Sequence, residues 1–136
     1  MAWVVDTCIL LDIGLDDPTF ASRSEGILKT KFDDGLMICP VTFVELAPAF
    51  SGQIEALENF LFQLGIEHQE DWMMTDTLQA SAAWAEYVRK RRLHQTPRRP
   101  IADILIGAFA KRHRGLLTRN SGDFGRLFPS LHIVEP

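Results

Sequence analysis

The chain has 136 residues, 46% hydrophobic and 24% charged, with a mean hydropathy of zero, which fits one domain with an ordinary buried core and excludes a disordered tail. Its longest apolar stretches, such as residues 104–110, fall well short of the ~20 residues of a membrane-spanning helix, and the opening Met1-Ala2-Trp3-Val4-Val5-Asp6 lacks the basic segment of a secretory leader. The formal net charge of −4 hides a polarised chain: residues 1–88 carry three bases against fifteen acids, and residues 89–136 carry eleven bases against three. Such asymmetry points either to an anionic partner for the second half or to two halves that complement each other once folded. Two cysteines, Cys8 and Cys39, are too few for a disulfide framework or a four-ligand zinc site. They read as small buried hydrophobes in a reducing, cytoplasmic compartment.

In chain order, Trp3-Val4-Val5 is an apolar run without polar alternation and predicts a buried strand. Residues 7–15 predict a short helix with Asp12 inside it, and residues 20–32 a second, stopped by Asp33-Asp34-Gly35. Leu36-Met37-Ile38-Cys39 reads as another buried strand closed by Pro40, followed by a short helix from about Thr42 that Pro48 limits. Over residues 51–64, Ile54, Leu57, Leu61 and Leu64 share one helical face, with Gly65 as the C-cap. Residues 66–68 form a weak strand. The longest helix runs from Thr75 to about Arg92, with Ala80, Trp84 and Val88 four residues apart. Residues 94–100 form a loop, residues 101–113 a further helix ended by Gly115, Leu116-Leu117 a strand, and His132-Ile133-Val134 the last strand. Short buried strands alternating with helices predict a parallel sheet covered on both faces, an α/β architecture in a single domain over residues 1–136.

Ligands of open parallel sheets bind beyond the carboxyl ends of the strands. Four acids fall there: Asp6 directly after the first strand, Glu45 in the short helix after the second, Asp103 in the first turn of the helix from Ile101, and Asp123 in the loop after Leu117. Carboxylates crowded together repel, and a hard divalent cation with oxygen ligands relieves the repulsion. Magnesium or manganese suits an all-carboxylate set. Each acid also has a plain structural reading. Asp6 or Thr7 can cap the first helix. Thr42-Phe43-Val44-Glu45 has the residue types of a capping box. Asp103 suits a helix N-terminus, and Asp123 an Asx turn.

The segments around these acids resemble a known family. Val4-Val5-Asp6-Thr7-Cys8-Ile9-Leu10-Leu11-Asp12 resembles the opening of PIN-domain ribonucleases, in which a hydrophobic strand runs into Asp-Thr/Ser and a short apolar helix. Thr42-Phe43-Val44-Glu45-Leu46 resembles their second motif, Pro100-Ile101-Ala102-Asp103-Ile104-Leu105-Ile106-Gly107-Ala108 their third, and Leu116-Leu117-Thr118-Arg119-Asn120-Ser121-Gly122-Asp123-Phe124 their fourth. Order and spacing are those of VapC-type toxins of bacterial toxin–antitoxin pairs, over essentially the whole chain. The resemblance implies a three-layer α/β/α fold around a mainly parallel sheet and a magnesium- or manganese-dependent endoribonuclease. It places Asp6, Glu45, Asp103 and Asp123 in the acidic quartet, with Asp6 and Asp103 as direct metal ligands and Thr7, Thr118 and Asn120 as supporting residues. Family members carry the fourth acid where either Asn120 or Asp123 stands here. Relatives often have a glycine soon after Glu-Leu, whereas Ala47-Pro48-Ala49-Phe50 follows Leu46.

With such a site, water attacks a phosphodiester in line while the cation lowers its pKa and neutralises phosphate charge. No histidine is placed for acid–base work, and His68, His94, His113 and His132 read as solvated. Arg89-Lys90-Arg91-Arg92, Arg98-Arg99, Lys111-Arg112 and Arg114 flank the Asp103 motif. Of these, Arg98 and Arg99 are the candidates for RNA contact, since an acidic centre needs a basic rim to admit a phosphate backbone. The resemblance further implies a cognate antitoxin, whose amphipathic segment needs exposed apolar anchors, and a homodimer. Phe20, Phe50, Trp72, Met73 and Met74 are the anchor candidates, each of which also suits the core. Two other readings stand beside this one. A PIN-like module that grips RNA or protein without catalysis is opposed by the presence of all four acids. A phosphoaspartate enzyme acting through Asp6 is opposed by the lack of an Asp-x-Asp signature.

Overall fold

The computed structural model describes the backbone of residues 1–94 and 100–136, with side chains to residue 91 and again from residue 100. Five short strands, β1 (Trp3–Val5), β2 (Leu36–Met37), β3 (Ile66–Glu67), β4 (Gly115–Leu117) and β5 (Ile133–Val134), form one sheet in the order β3-β2-β1-β4-β5. Every pairing in it is parallel. Among the described residues, seven α-helices connect them: α1 (Thr7–Gly14), α2 (Ala21–Lys31), α3 (Pro40–Leu46), α4 (Ile54–Gln63), α5 (Met74–His94), α6 (Ile101–Lys111) and α7 (Ser121–Leu127). No helix among the described residues is long and apolar enough to cross a membrane.

The period-two alternation of a strand divides the core in two. Trp3, Val5, Leu36 and Leu117 face one side, where Ile9, Leu10, Ile27, Leu28, Leu57 and Leu61 cover them from α1, α2 and α4. Val4, Met37 and Leu116 face the other, under Ile106, Phe109, Ala110 and Phe124 from α6 and α7. Behind α6 a third cluster joins Ala80 of α5 to Ile104, Ala108 and Phe128. The result is the expected α/β/α sandwich, with each central strand buried on both faces.

Element boundaries depart from the sequence reading where backbone chemistry intervenes. The second strand stops at Met37, and α3 begins at Pro40 itself, because proline lacks only a donor that the first helical turn leaves unused. Pro48 sits in a short 3-10 turn, Ala47–Phe50. Helix α4 starts at Ile54 instead of residue 51, because Ser51 (φ 54°) and Gly52 (φ 72°) adopt left-handed backbone. Ile54 therefore lies at the helix entry and is 61% exposed, while Leu57 and Leu61 are buried. Beyond β4 the expected loop is a helix, α7, held down by the fully buried Phe124 ring.

Two ion pairs, each between a buried carboxylate and a partly exposed arginine, tie distant segments together. Arg112 makes a fork on Asp76 (3.0 Å from Nε to Oδ1 and from Nη2 to Oδ2) and also reaches Glu70 at 3.1 Å. Asp76, which is 1% exposed, additionally accepts the Met73 amide at the start of α5. Arg119 makes the second fork, on Asp12, at 2.8 and 2.9 Å. Such forks are charge-assisted and directional, and they fix α5 against the end of α6, and the segment after β4 against α1.

Candidate active site

The register of the sheet creates the centre of the site. Val5 of β1 pairs with Leu117 of β4, so the next residue on each strand, Asp6 and Thr118, emerges side by side at the carboxyl edge. This is also where the winding of the sheet reverses, since β2 and β3 extend from one side of β1 and β4 and β5 from the other; a ligand crevice forms at such a reversal. Asp6 is buried. Its Oδ2 accepts the Thr118 hydroxyl at 2.6 Å and the Cys8 thiol at 3.3 Å, and its Oδ1 accepts the Thr7 amide at 2.8 Å. Asp6 thus caps α1 and belongs to a site at once. Burial pushes its carboxyl above the usual carboxylate range, and the neighbouring Glu45 charge adds to the rise against the opposing hydrogen bonds. The Cys8 thiol is likewise raised, to about 12, chiefly by burial, so it stays protonated and acts as a donor.

Glu45 enters through Thr7. The Thr7 hydroxyl donates to Glu45 Oε1 at 2.6 Å, with the Thr42 hydroxyl 3.1 Å away. The capping-box reading of Thr42 and Glu45 does not hold: Cys39 is the N-cap of α3, and the Thr42 amide bonds the Cys39 carbonyl. Glu45 lies beyond the first turn, where its side chain points to the end of β1 instead of back to a helix amide.

Topology carries the other two acids to the same edge. Helix α6 leads into the amino end of β4, so its N-terminus, with the half-buried Asp103 in its first turn, lies at the carboxyl edge. Asp123, expected in a loop, sits in the first turn of α7 and binds Arg126 one turn on. Asn120 is the N-cap of α7, and its backbone amide donates to the Thr118 hydroxyl oxygen at 2.9 Å. The structure therefore joins Asp6, Thr7, Glu45, Thr118 and Asn120 in one hydrogen-bonded network. Asp103 and Asp123 share the edge with it. Among the described residues, no three carboxylate, imidazole or thiol groups stand close enough together to hold one metal ion.

The bases are distributed differently from the expected rim. Arg112 and Arg119 are held in the two forks, Arg114 lies 3.6 Å from Asp34, and Arg89 pairs with Glu86 on the face of α5. Much of the charge asymmetry is thus consumed by pairing across the two halves. Arg98 and Arg99 lie outside the described residues. The histidines differ from a purely solvated reading too. His68 stacks on Phe43 and binds Glu58 at 3.0 Å, and His113 packs half-buried on Phe109, where burial lowers its pKa. Of the apolar anchor candidates, Phe20, Phe50 and Trp72 lie partly buried against Arg119, Phe60 and Phe109. Met73 and Met74 are exposed. Sequence reasoning missed the Asp12–Arg119 pair; the only local sign of it was a charged residue among the apolar positions of α1.

The PIN domain family model matches residues 3–127. The chain belongs to the PIN domain family. This PIN domain is similar in fold to VapBC2 from Rickettsia felis, solved bound to a DNA fragment from its promoter, with a TM-score of 0.60 and 17% identity over 99% of this chain and 98% of that one. It is similar also to FitAcB from Neisseria gonorrhoeae, with a TM-score of 0.59 and 19% identity over 96% and 94% of the two chains. A comparison with curated proteins returns no match.

The donor chemistry of this PIN domain fits a hard divalent cation. Asp6 is a buried carboxylate whose hydrogen-bond donors are all neutral, while its charged neighbour, Glu45, is also an acid. Arg112, Arg114, Arg119 and Arg126 are bound to other acids. The carboxylates and hydroxyls of Asp6, Glu45, Thr7 and Thr118 offer oxygen donors, which suits a hard cation better than a softer metal.

Proposed function

We propose that this PIN domain is a magnesium- or manganese-dependent endoribonuclease and the toxin of a toxin–antitoxin pair. The observation that carries the reading is the Asp6 carboxylate, buried at the reversal point of the sheet with only neutral donors on it and a second acid beside it. A bound divalent cation supplies the acidity that activates water and the charge that offsets phosphate. Asp6 and Asp103 would hold it, and Glu45 or Asp123 would orient a bound water or a second ion. Thr118 fixes Asp6 through its hydroxyl, Thr7 fixes Glu45, and the Asn120 amide fixes Thr118. Arg98 and Arg99 guide the RNA backbone.

Family membership supports nuclease chemistry, and the likeness to VapBC2 and FitAcB supports an antitoxin partner; the cytoplasmic location and the homodimer rest on the sequence resemblance. The exposed Met73 and Met74 are the remaining apolar anchors for such a partner. Expression of the wild type beside Asp6→Asn and Asp103→Asn, with mapping of the cleaved RNA ends, tests the assignment. Magnesium-dependent cleavage is expected from the wild type alone. Full activity in carefully purified Asp103→Asn would sink the assignment of the site, and no cleavage by the wild type with magnesium or manganese would leave a binding module instead.

A further inference from the structure

One charge pair next to the Asp6 network has no part in the reading above. Asp12 is 4% exposed in the middle of α1, facing α2, where Ser24, itself fully buried, donates to its Oδ2 at 2.7 Å. Arg119 closes on the same carboxylate with two guanidinium nitrogens at 2.8 and 2.9 Å, and its guanidinium carbon lies 3.9 Å from the centre of the Phe20 ring. A cation held by a planar fork on one side and an aromatic face on the other has little freedom left. The arrangement is costly to bury and cannot be exchanged for a simple point charge.

Its place in the chain gives it a second role. Arg119 lies between Thr118, whose hydroxyl donates to Asp6, and Asn120, whose amide supports that hydroxyl. The Cys8 sulfur lies 3.7 Å from the Thr118 hydroxyl, and both donate to the same Asp6 oxygen. One of the three donors on Asp6, the Thr118 hydroxyl, therefore belongs to the segment that Arg119 anchors, and the Cys8 thiol, a second donor, lies against that hydroxyl. β4 ends at Leu117, so sheet pairing alone does not hold residues 119 and 120.

We propose that Arg119, forked on Asp12 and stacked on Phe20, is a positioning residue that holds the Thr118 hydroxyl on Asp6 and so aims its carboxylate at a divalent cation. The proposal rests on the metal-dependent reading of the site. Loss of a residue that orients a metal ligand typically costs about 10–100-fold in affinity or activity.

The test compares manganese affinity by calorimetry and magnesium-dependent RNA cleavage in the wild type, Arg119→Met, Arg119→Lys and Arg112→Met, below the melting temperature of each. Arg119→Met is expected to lose about tenfold in both manganese affinity and kcat, with KM for RNA nearly unchanged. Arg119→Lys recovers part of both, since an ammonium reaches Asp12 without the fork. Arg112→Met breaks the comparably buried pair with Asp76 at the far end of α6 and is expected to melt early with unchanged affinity and kcat. Where Arg119→Met does not fold, Asp12→Asn, which keeps the shape and the Ser24 bond, carries the same expectation. Wild-type affinity and kcat in Arg119→Met would overturn the proposal, as would equal losses in Arg112→Met. If the wild type binds manganese but cleaves no RNA, the ribonuclease reading fails and the affinities alone decide the role of Arg119. A wild type that binds no divalent cation overturns both.

Discussion

Asp6 carries a conflict that its neighbours only partly resolve. It gains three hydrogen bonds, yet burial and Glu45 leave its carboxyl raised above the usual range. A carboxyl with a folded-state pKa above its unfolded value contributes stability that is complete below the unfolded value, about 3.9 for aspartate, and is lost as pH rises through the folded value. In the metal-free protein, Asp6 ionisation therefore destabilises the fold at neutral pH. Asp6→Asn, nearly isosteric and uncharged, is expected to melt higher than the wild type at pH 7 in chelator. The difference should vanish below about pH 4. Circular-dichroism melts at the two pH values check this, and an equal or lower melting temperature for the variant at pH 7 would show that burial is not the dominant influence on Asp6. The same conflict makes the position useful, because a cation placed there removes the penalty.

Among the elements, α6 is the piece on which the layers converge. It packs on the sheet through Ile106, Phe109 and Ala110 and on α5 through Ile104 and Ala108. Gly107 lies between these surfaces, where an added Cβ would stand 2.4 Å from the ring of the buried Phe128. Gly107→Ala would ordinarily favour a helix, but here the ring must shift within a filled core. A net loss of about 1–3 kcal/mol is expected from overpacking, read from denaturant unfolding, and a gain in stability would mean that Phe128 relocates freely. At the other end of the helix, Arg112 neutralises Asp76. Replacing it with methionine strands a carboxylate that is 1% exposed, at a cost of about 3 kcal/mol. Arg112→Met with wild-type stability would imply that water or another base reaches Asp76.

Across the whole molecule, the acidic first half and basic second half meet in the folded state. Arg112 with Asp76 and Glu70, Arg114 with Asp34, and Arg119 with Asp12 all join one half to the other. The polarised sequence therefore reports intramolecular complementarity before any partner is considered. What remains for RNA is tested at Arg98 and Arg99, directly before the α6 acid. Arg98→Ala with Arg99→Ala is expected to reduce the log–log salt slope of RNA binding by about 1.4, two lost contacts at about 0.7 each for a single strand. Magnesium affinity and melting temperature should stay near wild type. An unaltered slope would mean that these arginines do not touch the RNA backbone, and would leave the charge asymmetry to the antitoxin, the dimer or intramolecular pairing.

Composition and apolar patterning determined the class of this protein. Two buried strand runs, helical stripes such as Leu57 and Leu61, and punctuation at Gly35, Pro40 and Gly65 were enough for a parallel sheet between helices, because burial of apolar faces dictates the layers. The acids at element ends were legible for the same reason: a parallel sheet puts the ends of its strands and the starts of its returning helices at one edge. Register decided the rest. Only the pairing of Val5 with Leu117 sets Thr118 on Asp6, and only the packing of α1 against the end of β4 gives Asp12 its arginine. These contacts span |i−j| values of 112 and 107, so no local pattern encodes them. Helix α7 was hidden likewise, its stability residing in the burial of Phe124 rather than in the propensity of a segment containing two glycines.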